Sequence, residues 1–137
     1  MHVDFSSVED VESFLSIPEG VYVCRIAEVR ETLTRDGHPR WAMRLEVADG
    51  DYAGRTAAWD GLVFSERGLP RVKRVLALLG FDVSGSLELA PTELTGRRLQ
   101  AQLETEERED PMTGRRIARL RVPYMGYAPV ADEDMPF

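Results

Sequence analysis

The chain has 137 residues, enough for one domain, and 43% hydrophobic with 30% charged residues is the balance of a folded chain, not a disordered one. A single cysteine, Cys24, excludes an internal disulfide and fits a reducing cytosol, and no apolar run approaches the roughly 20 residues of a membrane-spanning helix. The net charge of −7 is uneven: five acids stand in residues 1–19 and three in 132–134, leaving 16 acids against all 17 basic residues in the body, a net of +1. The N-terminus MHVDFSSVED has no basic region and does not read as a signal peptide.

In chain order, SSVEDVESFL (6–15) reads as a short N-terminal helix, capped by Ser6 or Ser7, with Val8, Val11, Phe14 and Leu15 as its apolar stripe. GVYVCRIAEVRETL (20–33) reads as a long strand; it is apolar on both parities, as in a strand that bends or changes partners. After a turn through Asp36 and Gly37, WAMRLEVAD (41–49) alternates cleanly, with Trp41, Met43, Leu45 and Val47 on one side. A glycine turn leads to a third strand, TAAWDGLVF (56–64), interrupted by Gly61. The period then changes: PRVKRVLALLG (70–80) is a helix with Val72, Val75, Leu76 and Leu79 on one face, Pro70 at its start and Gly80 at its stop. Residues 81–95 form a loop. A strand over 97–107, a turn on Asp110, Pro111 and Gly114, and a strand over 116–124 follow. Nothing regular is expected after Tyr127.

The expected fold class is therefore mainly β: five strands with a helix between the third and fourth. That is the order of a five-stranded Greek-key barrel, the OB-fold, although a small α+β sheet shares it. The expected organisation is an acidic N-terminal segment over 1–19, an OB-fold domain over 20–127 and a flexible acidic tail over 128–137.

Enzyme signatures are sparse. His2 and His38 are the only histidines, and no phosphate loop, GxSxG or dinucleotide fingerprint occurs, so neither catalytic residues nor a cofactor are expected. Glu46, Asp49, Asp51 and Asp60 could hold Mg²⁺, which keeps a small metal-dependent nuclease as a minor alternative; a solvated turn is the plainer reading. Single-strand binders combine cations along a groove with aromatic platforms. Arg25, Arg44, Arg55, Arg98, Arg119 and Arg121 stand on or beside strands, and Tyr52 and Trp59 are candidate platforms. Trp41 shares parity with Met43 and Leu45 and reads as core. Trp59 suits core and platform equally, and an arginine-bearing strand face is by itself an ordinary wet face.

The last seven residues, ADEDMPF, are a run of acids followed by an apolar residue, a proline and a phenylalanine. The acids keep such a segment extended and soluble. Pro136 stiffens the approach, and Phe137 offers a ring for an apolar pocket. This segment closely resembles the acidic C-terminal tip of bacterial single-stranded DNA-binding proteins. The body, with EGVYVCRIAEV, LEVADGDYAGR, RVKRVLALLG and LTGRRLQAQLE, resembles the phage-encoded branch of OB-fold single-strand binders. Two features depart from the family: the spacer before the tip is very short, and Lys73 is the only lysine. The resemblance implies a non-enzymatic protein of the bacterial cytoplasm or nucleoid that coats single-stranded DNA. It also implies that Asp132, Glu133, Asp134, Met135, Pro136 and Phe137 recruit replication, recombination and repair enzymes. A homodimer is compatible with it. The alternative is an OB-like adaptor that recruits the same partners without touching DNA.

Overall fold

The computed structural model describes residues 11–13 and 17–130. Its elements are β1 (Val11–Ser13), β2 (Gly20–Leu33), β3 (Pro39–Val47), β4 (Thr56–Val63), α1 (Leu69–Leu78), β5 (Arg98–Glu109), β6 (Arg116–Arg121) and β7 (Tyr127–Ala128), with a 3-10 turn at Pro91–Glu93. The protein is mainly β. Its strands run in the order β1-β6-β5-β2-β3-β4, and β7 also pairs with β5. All ladders are antiparallel except β1 on β6.

Strand β2 organises the sheet. Its first half, Gly20–Arg25, pairs with β5, and its second half, from Cys24 to Leu33, pairs with β3. A bulge between Ile26 and Glu28 inserts one residue and reverses the parity. Cys24 and Ile26 point into the core before it, and Val29 packs against the core after it. The mixed apolar pattern of this strand thus has a physical cause: it changes partners and carries a bulge. In β3, Met43, Leu45 and Val47 are buried as the alternation predicts, and Trp41 is half-buried against Phe64, ring centroids 4.8 Å apart. A second bulge, at Ala57 in β4, lets Ala57 and its neighbour Ala58 both be buried.

Helix α1 packs Val72, Val75 and Leu76 onto this core, and Leu79 follows at its C-terminal end. Arg97 secures the loop after it. Its guanidinium stacks on Phe81 at 3.9 Å and donates to the Leu79 and Glu93 carbonyls. The β5–β6 hairpin closes through Gly114, whose φ of 71° is the left-handed conformation glycine adopts without strain.

Two expectations are revised. Val11–Ser13 is a strand, not helix; it lies on the edge of β6 from Arg116 to Ala118, where a sheet edge offers backbone partners that outweigh weak helix propensity. The rest of the expected 6–15 helix lies outside the described residues. The body also reaches further at both ends than 20–127. Ile17 is core, Tyr22 donates to the Pro18 carbonyl, Tyr127–Ala128 forms β7, and Val130 is buried. Two residues are too short to show a periodicity, so β7 left no sequence signal. Among the described residues no helix is long and apolar enough to cross a membrane.

Cys24 is fully buried, and this burial, together with the charge of Asp49, pushes its thiol up from 9.0 to about 12. A group whose folded pKa is raised stabilises the fold fully below its unfolded pKa and loses that contribution as pH climbs through the folded one. Stability should therefore decline from about pH 9 towards pH 12. Near neutral pH the native thiol should resist iodoacetamide, and the urea-unfolded thiol should react. Equal labelling rates in the two states would contradict this picture.

Candidate functional site

The sheet path ends at β4 on one side and at β6 with β1 on the other. Strands β4 and β6 form opposite walls of a groove of about 880 Å³. Its cations are Arg40, Arg71, Arg119 and Arg121, and its aromatic rings are Trp59 and Tyr124. Alternation along β4 sorts the side chains. Trp59 pairs across the strands with Arg44 on the outer face, and Asp60 pairs with buried Met43 and so faces inward. Gly61 follows; a Cβ there would meet the Arg40 guanidinium at 2.5 Å, so the glycine leaves room for that side chain to cross β4.

Asp60 is the floor of the groove. One of its oxygens, Oδ2, accepts hydrogen bonds from Arg71 Nη2 at 2.7 Å and from the Tyr127 hydroxyl at 2.6 Å. The other, Oδ1, accepts from the Gly61 amide at 2.9 Å. Arg71 also donates to the carbonyls of Gly61 and Tyr124. Burial opposes the charge on Arg71, but Asp60 and Tyr127 outweigh it and raise the guanidinium pKa. Burial first, and the Asp60 carboxylate second, push the Tyr127 phenol well above its usual value. The charges of this cluster are paired, and each Asp60 oxygen has a donor.

The walls are different. Arg121 Nε lies 3.2 Å from Glu104, and Glu106 lies 3.6 Å from Arg119 and 3.8 Å from Arg121. On the outer face, Arg44 and Arg30 both bond Glu28, and those two hydrogen bonds hold its carboxyl below the usual range. Arg30 also stacks over the Trp59 ring at 4.8 Å, and Trp59 remains 43% exposed.

Of the residues singled out from sequence, the groove gathers Trp59, Arg119 and Arg121, and Arg44 reaches its rim through a bond to Thr56. Arg25 and Arg98 are cross-strand neighbours on β2 and β5 and do not line it; Arg25 pairs with Glu46 at 3.0 Å. Tyr52 and Arg55 belong to the β3–β4 turn, where Tyr52 meets Tyr22 edge-on and Arg55 sits over its ring. Asp132–Phe137 lie outside the described residues. Sequence reasoning missed Arg40, Arg71, Tyr124 and Arg30. Arg40 shares parity with Arg44 and could have been found that way; nothing local marks the others.

Glu46, Asp49, Asp51 and Asp60 are not gathered into a metal-holding group among the described residues. Glu46 is drawn to Arg25 and Asp60 to Arg71. A second cavity, of about 650 Å³, opens between α1 and the 81–95 loop; Trp41, Phe64 and Leu76 form its apolar wall and Lys73 stands at its rim. No family model matches the chain, and no curated protein matches it.

Asp60→Asn keeps the side-chain shape and removes the counter-ion of a mostly buried arginine, so it should cost about 3 kcal/mol. Tyr127→Phe removes one hydrogen bond to a charged acceptor and should cost about 1.5 kcal/mol. Urea unfolding at neutral pH measures both. A loss below about 0.5 kcal/mol for Asp60→Asn would remove this cluster from its structural role.

Proposed function

We propose that this protein binds single-stranded DNA in the groove between β4 and β6 and recruits replication, recombination and repair enzymes through its acidic segment Asp132–Phe137. The observation that carries the reading is the meeting of Trp59 and Tyr124 with Arg40, Arg119 and Arg121 in one groove. Rings stack on bases of any sequence, and guanidinium groups take the phosphates between them. The five strands β2 to β6, with α1 between β4 and β5, support an OB-type barrel in which β4 and β6 are the strands that approach each other. The protein would act in the cytoplasm of a bacterial host, without enzymatic activity or a cofactor.

A second reading, the adaptor that binds no DNA, draws on the ion pairs. Arg25, Arg44, Arg119 and Arg121 each already face a glutamate. A titration with oligo-dT separates the two. With Arg40, Arg119 and Arg121 each on a phosphate, the logarithmic salt slope should be near −2, a loss of about 20-fold between about 50 and about 200 mM salt. Trp59→Ala should weaken binding by about 1–3 kcal/mol with the fold retained, and oligo-dT should quench tryptophan fluorescence. Affinity that ignores salt, or no binding at all, favours the adaptor.

Removing Asp132–Phe137 should leave DNA affinity equal or higher, because negative charge near the groove is lost, and should abolish partner docking. Pull-downs of replication and repair proteins with intact and shortened protein test this. Equal recovery would mean that the segment recruits nothing.

A further inference from the structure

The groove holds two kinds of arginine. Arg71 is 13% exposed, bonded at 2.7 Å to a carboxylate that is 16% exposed, and committed to the fold. Arg119 and Arg121 are nearly half exposed. Their shared neighbour is Glu106, which stands opposite Arg119 in the β5–β6 register and also lines the groove. The Glu106 oxygens lie 3.6 Å from Arg119 Nε and 3.8 Å from Arg121 Nη1, within Coulombic reach but beyond hydrogen-bonding distance. One carboxylate thus lies between two guanidinium forks and satisfies neither.

The geometry points to Glu106 as a built-in competitor for the nucleic-acid phosphate, which occupies Arg119 and Arg121 while the groove is empty and yields when a phosphate arrives. Exposed ion pairs at this separation are weak. A phosphate oxygen pair can take the two parallel N–H bonds that one side of a guanidinium offers, which Glu106 does not. The exchange is therefore favourable but shallow, and it holds affinity below what the arginines alone would give. Glu104 plays a lesser part: it holds Arg121 at 3.2 Å but does not line the groove. The inference rests on the DNA-binding reading and adds the element that regulates that site.

Glu106→Gln is the test, with Glu88→Gln, an exposed change of the same charge in the 81–95 loop, as the control. In oligo-dT titrations at low salt, Glu106→Gln should tighten binding on the order of three- to tenfold, and Glu88→Gln should leave it within about twofold. The gain should shrink as salt rises. It should also vanish when Arg119→Ala and Arg121→Ala are combined with it, since there is then nothing to release. A thermal melt confirms that each variant is folded. Equal affinity for the two glutamine variants, or a gain that survives loss of both arginines, would overturn the competitor role and leave the DNA reading standing. Weaker binding by Glu106→Gln would also overturn it, by making Glu106 a positioning residue for the arginines. No binding by any variant would overturn the DNA reading and this inference together.

Discussion

Three parts of the chain meet at the carboxylate of Asp60: its own strand, helix α1 through Arg71, and the C-terminal strand through Tyr127. A buried charge is costly unless paired and fully hydrogen-bonded, and here each oxygen has a donor. The arrangement cannot be partly made, because losing one partner strands another in a poorly hydrated place. It therefore fixes the position of α1 over the sheet and of residues 124–128 beside it, and with them the floor of the groove. The next residue back along β4 is Trp59. Strand alternation turns its ring to the outer face because Asp60 is held inward, and since β4 ends the sheet path the residue still lines the groove over that edge.

The second constraint is the division of β2. A single antiparallel strand with one partner on each side along its whole length would give an open, regularly twisted sheet. Here β5 takes the first half and β3 the second, with a bulge just after the handover. Bulges add local twist. The division carries β3 and β4 away in one direction and β5 and β6 in the other. Strands β4 and β6 can then form facing walls, with a concave space between them.

Charge is managed separately on the surface. Glu104 with Arg121 and Glu106 with Arg119 form rungs along one hairpin, Glu107 reaches Arg116 diagonally, and Glu28 and Glu46 hold Arg44 and Arg25 on the other strands. This accounts for a body whose net charge is close to zero although it is rich in arginine. Pairs of this exposure contribute little to stability. Their larger effect is to bias where the guanidinium groups of the hairpin stand.

Local periodicity carried the fold a long way. Strands β2, β4 and β6, within a few residues of their bounds, the helical face of Val72, Val75 and Leu76, and the buried parity of Met43, Leu45 and Val47 are all properties of neighbours within a few residues, and a sequence displays these directly. The double apolar parity of β2 even announced its change of partners. The site was far less legible. Val11–Ser13 adopts strand because an edge from Arg116 onward is free to receive it, and Tyr127 pairs because Ala101 lies opposite. Whether Trp59 is core or surface was undecidable from its neighbours alone, since it depends on the register with Arg44 and on Arg30 lying over it. Arg71 reaches Asp60 across 11 residues, and Tyr127 reaches it across 67. The sequence by itself determined the long strands β2 to β6, the helix α1 and which side of each is apolar, because these follow from short-range sterics and the periods of 2 and 3.6. Only the tertiary structure decided which arginines are spent on carboxylates and which rings stand open, because those outcomes depend on contacts between segments whose separation along the chain carries no periodic signal.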